Sequence, residues 1–465
     1  MPHVKVFRKG LSMKPNNPDL NPGPTSKKPV ELVIQGGTAV TMVPGQPPIT
    51  DARILIGKGR IMEIGPSAEI PMPHGFPIET VDAQNAIILP GLVNAHAHTA
   101  MTLFRGFADD LPLSKWLFER IFPAEANFLS PETVYWGALL GCVEMITSGT
   151  TCLADGYFFE DQTVRAVHES GLRALLAQGI IDFPAPGIPD PKENTRMGQD
   201  FMEKWHHFSD RITPGLFCHS PITCCERTLR RSQEISREYG APLQIHLSET
   251  SMEVVEILKT HGKRPAHYLD HLGLLDSHLI AAHGVHLDET ELRCFREKGA
   301  GIVHVPESNM KLSSGIAPLE EITAMGLKTG LGTDGCASNN NLDLFGEMDT
   351  AAKLAKVSTG RPDAAKAYQV LKMATLGGAA ALGLDEETGS LEKGKKADII
   401  VVDLTSPHLC PLFNPVSTLV YSACGSDVKD VVVNGVPLMK ERALCYLDQD
   451  EIMAKVIEIS KKIRL

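Results

Sequence analysis

What this sequence lacks narrows the field first. No apolar run reaches the roughly 18 residues of a membrane-spanning helix. The opening MPHVKVFRKG has no long apolar segment of the secretory kind, so a membrane is not expected as a partner. The ten cysteines are too sparse for a disulfide scaffold. None forms a C-x-x-C pair, which removes a zinc knuckle and a thioredoxin-type motif. Adjacent Cys224 and Cys225 read as reduced thiols, and a cytoplasmic setting is expected. Basic excess is also missing. Lys and Arg number 45 against 56 Asp and Glu, a net charge of −11, which argues against nucleic acid and anionic membranes because both attract basic surfaces. No G-x-G-x-x-G follows an early strand, so a doubly wound dinucleotide-binding sheet loses its best marker.

What is present falls into four stretches. Residues 1–30 hold six prolines and the polar run KPNNPDLNPGPTSKKP. They offer too little apolar surface to offset the entropy of ordering, so a flexible arm is expected, long enough to reach a neighbouring subunit of a homo-oligomer. Residues 31–90 read as short β segments (ELVIQGGTAVTMV, ARILIGKGRIMEIG, IETVDAQNAIIL) separated by glycine-containing turns. The same texture returns over 385–465, in KKADIIVVDL and VKDVVVNGVPLMKERALCYL, before a final amphipathic helix in DEIMAKVIEISKKIRL. One small β-sandwich domain formed by both chain ends is the economical reading.

Between them, residues 91–384 alternate short apolar runs with helix-period segments. Eight strands are predicted: IILPGLV, GTTCLADG, RALLAQGIID, ITPGLFCHS, PLQIHLS, LIAAHGV, GAGIVHV and KTGLGTD. Helices are expected in PETVYWGALLGCVEMITS, CERTLRRSQEISREYG and DETELRCFREKG. This is the pattern of an α/β protein built on a (β/α)8 TIM-like barrel.

In such a barrel, chemistry sits at the C-terminal ends of the strands. The first strand ends in His96 and His98, the fourth in His219, the fifth in His246 with Glu249 after it, the sixth in His283 and the eighth in Asp334. Residues i and i+2 of a strand face the same way, so His96 and His98 can share one ion. A closed barrel brings the first, fifth and eighth strands round one rim. Three imidazoles and one carboxylate (His96, His98, His246 and Asp334), with a water completing the shell, make an open catalytic metal site. Zn2+ suits that set best, and Fe2+ or Mn2+ also fit. A second ion would need a bridging group, often a modified lysine ending the fourth strand; FCHSP has none, so one metal is expected. Any single strand-end histidine is more often an ordinary hydrogen-bonded residue, and His286, His304, His261, His267, His271 and His278 are read that way. Asp155 reads as a capping carboxylate.

The segments PGLVNAHAHTAMTLFRG, IHLSET, AAHGVHL, SNMKLSSGIAPL, LGTDGCASNNNLDLF and LEKGKKADIIVVDL together resemble the amidohydrolase superfamily, in the branch of cytosine deaminase-like and chlorohydrolase-like enzymes. GFADDLPLSKWLFERIFPAE most resembles the deaminases of 5′-methylthioadenosine and S-adenosylhomocysteine. The resemblance implies a small-molecule nucleoside substrate and His96, His98, His246 and Asp334 as metal ligands. It implies that Glu249 and His283 act on the water and the leaving group, with Asp334 also accepting a proton. It implies that Trp116, Glu125 and His219 line the nucleoside pocket, Glu125 receiving the ribose hydroxyls. Relatives that accept S-adenosylhomocysteine carry an arginine where Gln178 stands, and a second basic residue is matched only ambiguously by Lys192 or Arg196. Gln178 cannot supply that charge to a carboxylate tail. The alternatives on the same scaffold are a triazine chlorohydrolase or a guanine, cytosine or pteridine deaminase. A more distant one is a non-catalytic metal-binding barrel.

Overall fold

Gly91 divides an apolar run that the sequence suggested was one strand. In the computed structural model, which describes residues 30–73 and 78–463, Ala86–Pro90 belongs to one sheet and Leu92–His98 to another. IILPGLV is therefore not the first barrel strand. Its first half pairs antiparallel with Ile399–Asp403, and the barrel begins only at Leu92. The arm expected over residues 1–30 lies outside the described residues, apart from Val30.

From Leu92 onward, parallel strands follow one another: Leu92–His98, Thr150–Tyr157, Arg173–Ile180, Ile212–Cys218, Leu243–Leu247, Leu279–His283, Gly301–His304 and Lys328–Leu331. The last of these resumes as Asp334–Gly335, which pairs with the first strand at Ala97 and His98. That return closes the ring. At the interruption, Asn94 takes over the lost pairing. Its Nδ2 donates to Thr333 Oγ1 at 2.7 Å and its Oδ1 accepts from Thr333 N at 3.1 Å. The strands are apolar on both faces because both are covered, as parallel sheets require. In the third strand Leu175 and Ala177 face the interior with Val93, Ala154, Phe217 and Val303, while Ala174, Leu176 and Ile180 pack toward the helices. The three predicted helices form, two of them with side-chain caps. Ser130 opens Pro131–Thr147, and Asp288 with Glu291 makes a reciprocal cap on Glu289–Lys298. No helix among the described residues is long and apolar enough to cross a membrane, and all ten cysteines are free.

Two further sheets draw on both ends of the chain. One joins Arg60–Pro66, Ala52–Gly57, Leu32–Gln35 and Glu79–Asp82. The other includes Thr38–Ala39, Ile49–Thr50 and Ala86–Pro90 beside Ile399–Asp403, Val428–Val433 and Val436–Lys440. Ile34, Ile54 and Ile56 of the first sheet meet Ile88, Ile399 and Val401 of the second in one core, which makes a sandwich. The sandwich meets the barrel at the strand starts. There Arg173 grips Asp398 through Nε to Oδ2 at 2.6 Å and Nη2 to Oδ1 at 3.2 Å, both residues buried. The opposite rim, where the strands end, is left for chemistry.

Candidate active site

Strand parity places His96 and His98 on one face, and the other barrel ends bring His246 and Asp334 to them. One ligand atom from each of the four lies within 4.8 Å of the others. Asp334 Oδ1 is 3.5 Å from His96 Nε2 and 3.2 Å from His98 Nε2. Its other oxygen is held by Ser308 Oγ at 2.6 Å and Ser338 Oγ at 3.0 Å. His98 Nδ1 donates to the Gly156 carbonyl at 2.7 Å, which leaves Nε2 as the ligating atom, turned inward 3.3 Å from Nε2 of His246. His96 Nε2 is buried with no hydrogen-bond partner. Burial lowers His96 to about 4, and burial with neighbouring histidines lowers His246 further, so both imidazoles are neutral, the form that ligates. Burial opposes ionisation of Asp334, but the adjacent His96 and His98 rings, with His283, outweigh it and hold the carboxylate well below the usual range. Inward lone pairs, one anionic oxygen and an orphaned buried nitrogen are the chemistry of a divalent-cation site.

Beside this cluster, His283 Nε2 stands 3.8 Å from Glu249 Oε2. His283 Nδ1 donates to Asn309 Oδ1 at 2.9 Å, which fixes the ring. Burial works against a charge on His283, yet the Glu249 and Asp334 carboxylates raise it overall. Glu249 is raised in turn by burial, with His283 pulling the other way. A carboxyl and an imidazole with pKa values both raised are suited to proton transfer. The backbone is strained here: His283 has φ 74°, Asp334 φ 60° and Ser248 φ 52°. Non-glycine residues in that region are costly and concentrate at functional sites. Glu253 supports the turn before the helix Ser251–His261, its carboxylate accepting Ser248 N at 2.7 Å and Glu249 N at 2.9 Å.

A cavity opens over these groups. Trp116 and Glu125 reach it from the helical stretch Leu113–Phe128, which carries a π-helical segment at Trp116–Ile121. The Trp116 indole Nε1 is buried there without a partner. Glu125 is 2% exposed, and Tyr157 donates to its Oε1 at 2.5 Å. Burial pushes Glu125 up to about 7, with the Tyr157 hydrogen bond partly offsetting it. His219 lies in the wall with Nδ1 on Thr223 Oγ1 at 2.9 Å, and burial lowers it to about 3, keeping it neutral. Leu113, Leu117, Phe122, Phe158 and Ile181 are among the apolar residues of the remaining wall, which contains no lysine or arginine among the described residues.

Gln178 is not brought to this wall. Its Nε2 donates to the Gly179 carbonyl at 3.1 Å, and the next three residues, Gly179, Ile180 and Ile181, line the cavity instead. Lys192 and Arg196 do not line the cavity either.

Residues 87–438 match the amidohydrolase family. The chain belongs to that family. Its curated relatives include a 5-methylthioadenosine/S-adenosylhomocysteine deaminase of Syntrophobacter fumaroxidans, 44% identical over 434 residues that cover 93% of this chain and 98% of the relative. A 5′-deoxyadenosine deaminase of Methanosarcina mazei is 45% identical over 435 residues, covering 93% and 97%. Among solved structures, a zinc-bound adenosine deaminase from Xanthomonas campestris superposes with a TM-score of 0.91 at 37% identity, covering 94% of this chain and all of that one.

Within this amidohydrolase, several groups at the site had no role in the sequence reading. Tyr157 is two residues past Asp155 on the same strand, a spacing that could have flagged it. Asn309 and Ser314 lie in SNMKLSSGIAPL, a segment noticed only for its resemblance. Asp155 itself accepts from Thr99 N at 2.5 Å and from the Thr99 hydroxyl, and so fixes the turn that follows His98. His286, read as structural, holds the carbonyl of Ser314.

Proposed function

We propose that this amidohydrolase removes the 6-amino group from adenosine-type nucleosides, giving the inosine analogue and ammonia. The observation that carries the reading is one cavity shared by two sets of groups. The Glu249–His283 pair lies beside the His96, His98, His246 and Asp334 cluster, and the buried Glu125 carboxylate stands in the same wall. The names of the relatives agree with it.

His96, His98, His246 and Asp334 hold the ion, Zn2+ by preference for a set of three nitrogens and one oxygen. When bound, such an ion acidifies a water toward neutral pH and so provides the nucleophile. Glu249 protonates ring N1, which draws electron density from C6 and opens it to attack. Asp334 Oδ1 takes a proton from the attacking water. His283, held by Asn309, orients that water and stabilises the negative charge that develops. Glu249, now a carboxylate, takes the proton of the new C6 hydroxyl and passes it to the amine, which leaves as ammonia as the C6–N bond breaks and C6=O forms, and the proton held by Asp334 restores Glu249. Glu125 accepts the ribose hydroxyls through the oxygen that Tyr157 leaves free, and the unpartnered Trp116 N–H and His219 Nε2 supply further polar contacts to the nucleoside. Apolar side chains and the absence of a cation in the wall favour a 5′ end without charge, as in 5′-methylthioadenosine or 5′-deoxyadenosine, over a tail ending in a carboxylate. The free thiols suit a reducing cytoplasm.

The test is turnover. Metal-replete enzyme mixed with 5′-methylthioadenosine, 5′-deoxyadenosine, adenosine, S-adenosylhomocysteine, guanine and cytosine is followed by loss of base absorbance and release of ammonia. The uncharged nucleosides turn over fastest. A preference for the free bases would remove the role of Glu125 and replace the reading. Glu249→Gln abolishes turnover with metal content unchanged; loss of metal instead would make Glu249 a ligand.

A further inference from the structure

Away from the active site, a second group of ligand-type side chains converges in the C-terminal region. His408 sits on the short turn Pro407–Leu409 that follows the strand Ile399–Asp403. Cys424 and Asp427 bracket the turn Gly425–Asp427 that leads into Val428–Val433. Asp427 Oδ2 is 2.9 Å from His408 Nε2 and 3.3 Å from Cys424 Sγ, and the three donor atoms all lie within 4.8 Å of one another. Asp427 is 6% exposed, while His408 and Cys424 open to solvent.

This arrangement has the features of a coordination site. The donors come from two turns, each fastened independently. Leu409 is buried beneath the first, and Gly425 N donates to Asp343 Oδ2 at 3.0 Å beneath the second. Among the described residues no lysine or arginine pairs with Asp427, and nearby Arg442 is committed to the Gly425 and Val428 carbonyls. With metal–nitrogen and metal–oxygen bonds near 2.0–2.1 Å and a metal–sulfur bond near 2.3 Å, the corners of a tetrahedral site stand roughly 3.3–3.6 Å apart. The two spacings to Asp427 Oδ2, 2.9 Å from His408 Nε2 and 3.3 Å from Cys424 Sγ, lie at or a few tenths of an ångström below that range, so binding needs small rotations of the exposed His408 and Cys424 side chains.

We propose that His408, Cys424 and Asp427 form a second metal site, separate from the catalytic one, with its fourth position open to solvent. The thiolate and imidazole select a soft or borderline divalent ion such as Zn2+ or Cd2+ over Mg2+ or Ca2+, which require all-oxygen shells. The competing description is that His408 and Asp427 simply tie two turns together. Cys424 belongs to that tie as the cap of the second turn, its N donating to Asp427 Oδ2 at 2.9 Å and its side chain accepting from the Asp427 backbone, but the tie alone gives no metal–thiolate band.

The sulfur gives the test its selectivity. The His96, His98, His246 and Asp334 cluster has no thiolate, so a cadmium–thiolate charge-transfer band in the ultraviolet cannot arise there. Full-length enzyme with its catalytic metal in place is titrated with Cd2+. The expected result is a band that saturates at one added equivalent, disappears in Cys424→Ser, and needs at least ten-fold more Cd2+ in His408→Asn. Cys424→Ser keeps deaminase activity within about two-fold of the parent. A band that persists in Cys424→Ser would assign it to another exposed thiol, Cys225, Cys410 or Cys445, and overturn the proposal. No band in the parent would do the same, and elemental analysis at one metal per chain in excess Zn2+ would agree. Unchanged circular dichroism of both variants shows that loss of binding is not loss of fold.

Discussion

Ser314 and Glu249 are joined by a hydrogen bond: the Ser314 hydroxyl donates to Glu249 Oε1 at 3.0 Å. His286 Nε2 donates to the carbonyl of the same serine at 2.8 Å, which pins the loop that carries it. One oxygen of the proposed proton carrier is thereby occupied, and the other faces His283. Ser314→Ala should lower kcat about ten-fold, the loss of ~1.4 kcal/mol expected for one hydrogen bond to a charged group, with KM little changed. Steady-state kinetics on 5′-methylthioadenosine read this directly. An unchanged kcat would mean that Glu249 needs no such anchor.

Glu125 predicts a pH limb. Burial raises it to about 7, and the Tyr157 hydrogen bond pulls it down. As pH falls through that value the carboxylate gains a proton and loses its acceptor capacity, so kcat/KM for ribose nucleosides declines on the acid side. Tyr157→Phe removes a lowering influence and moves the limb to higher pH. A 2′,3′-dideoxy substrate should show no such limb, because it presents no hydroxyl to Glu125.

The same shift bears on stability. A carboxyl raised in the fold from 4.5 to about 7 contributes stability that is present below the unfolded value and lost as pH rises through the folded one. Glu125→Gln, which cannot ionise, should therefore raise Tm at pH 8 by more than at pH 4.5. Differential scanning calorimetry of metal-replete protein at both pH values is the measurement.

Removing the catalytic metal should cost both activity and stability. With a chelator, turnover falls at least 100-fold and Tm drops, because an ion that binds only the folded state stabilises it by mass action. Stoichiometric Zn2+ restores both. Activity that survives chelation, with metal content shown to be nil, would contradict the assignment of His96, His98, His246 and Asp334.

The buried Arg173–Asp398 pair predicts a stability effect without a catalytic one. Asp398 also accepts Thr388 Oγ1 at 3.1 Å and Asn434 N at 2.7 Å, so it gathers the sandwich around the foot of the third barrel strand. Asp398→Ala leaves a buried guanidinium uncompensated and should cost about 3–5 kcal/mol in urea unfolding. Turnover per folded molecule should stay near the parent value, since the pair lies at the strand starts and the chemistry at the strand ends.

Much of this was legible in the chain. Eight apolar runs separated by helix-period segments are local patterns, and strand parity is a property of neighbouring residues. That is why His96 and His98 could be paired on paper. The change of texture near residue 90 was legible, yet IILPGLV still read as a single barrel strand, because an apolar run buried in a sandwich and one buried in a barrel look alike; only partners distinguish them. Gln178 shows a related limit. Resemblance pointed to its position in the chain, while the fold decided that Gly179, Ile180 and Ile181 line the cavity instead.

The sequence by itself determined the residue types and the order in which the strands deliver them: His96 and His98 first, then His246, Glu249, His283 and Asp334. Tertiary structure alone decided what each one meets. Closure of the ring through Asn94 and Thr333 sets Asp334 beside His96, more than two hundred residues away in sequence. Burial lifts Glu125, and the Tyr157, Ser314 and Asn309 contacts orient groups whose partners lie 26 to 65 residues apart along the chain. Hydrogen bonds and desolvation depend on distance in space, and distance along the chain does not encode them.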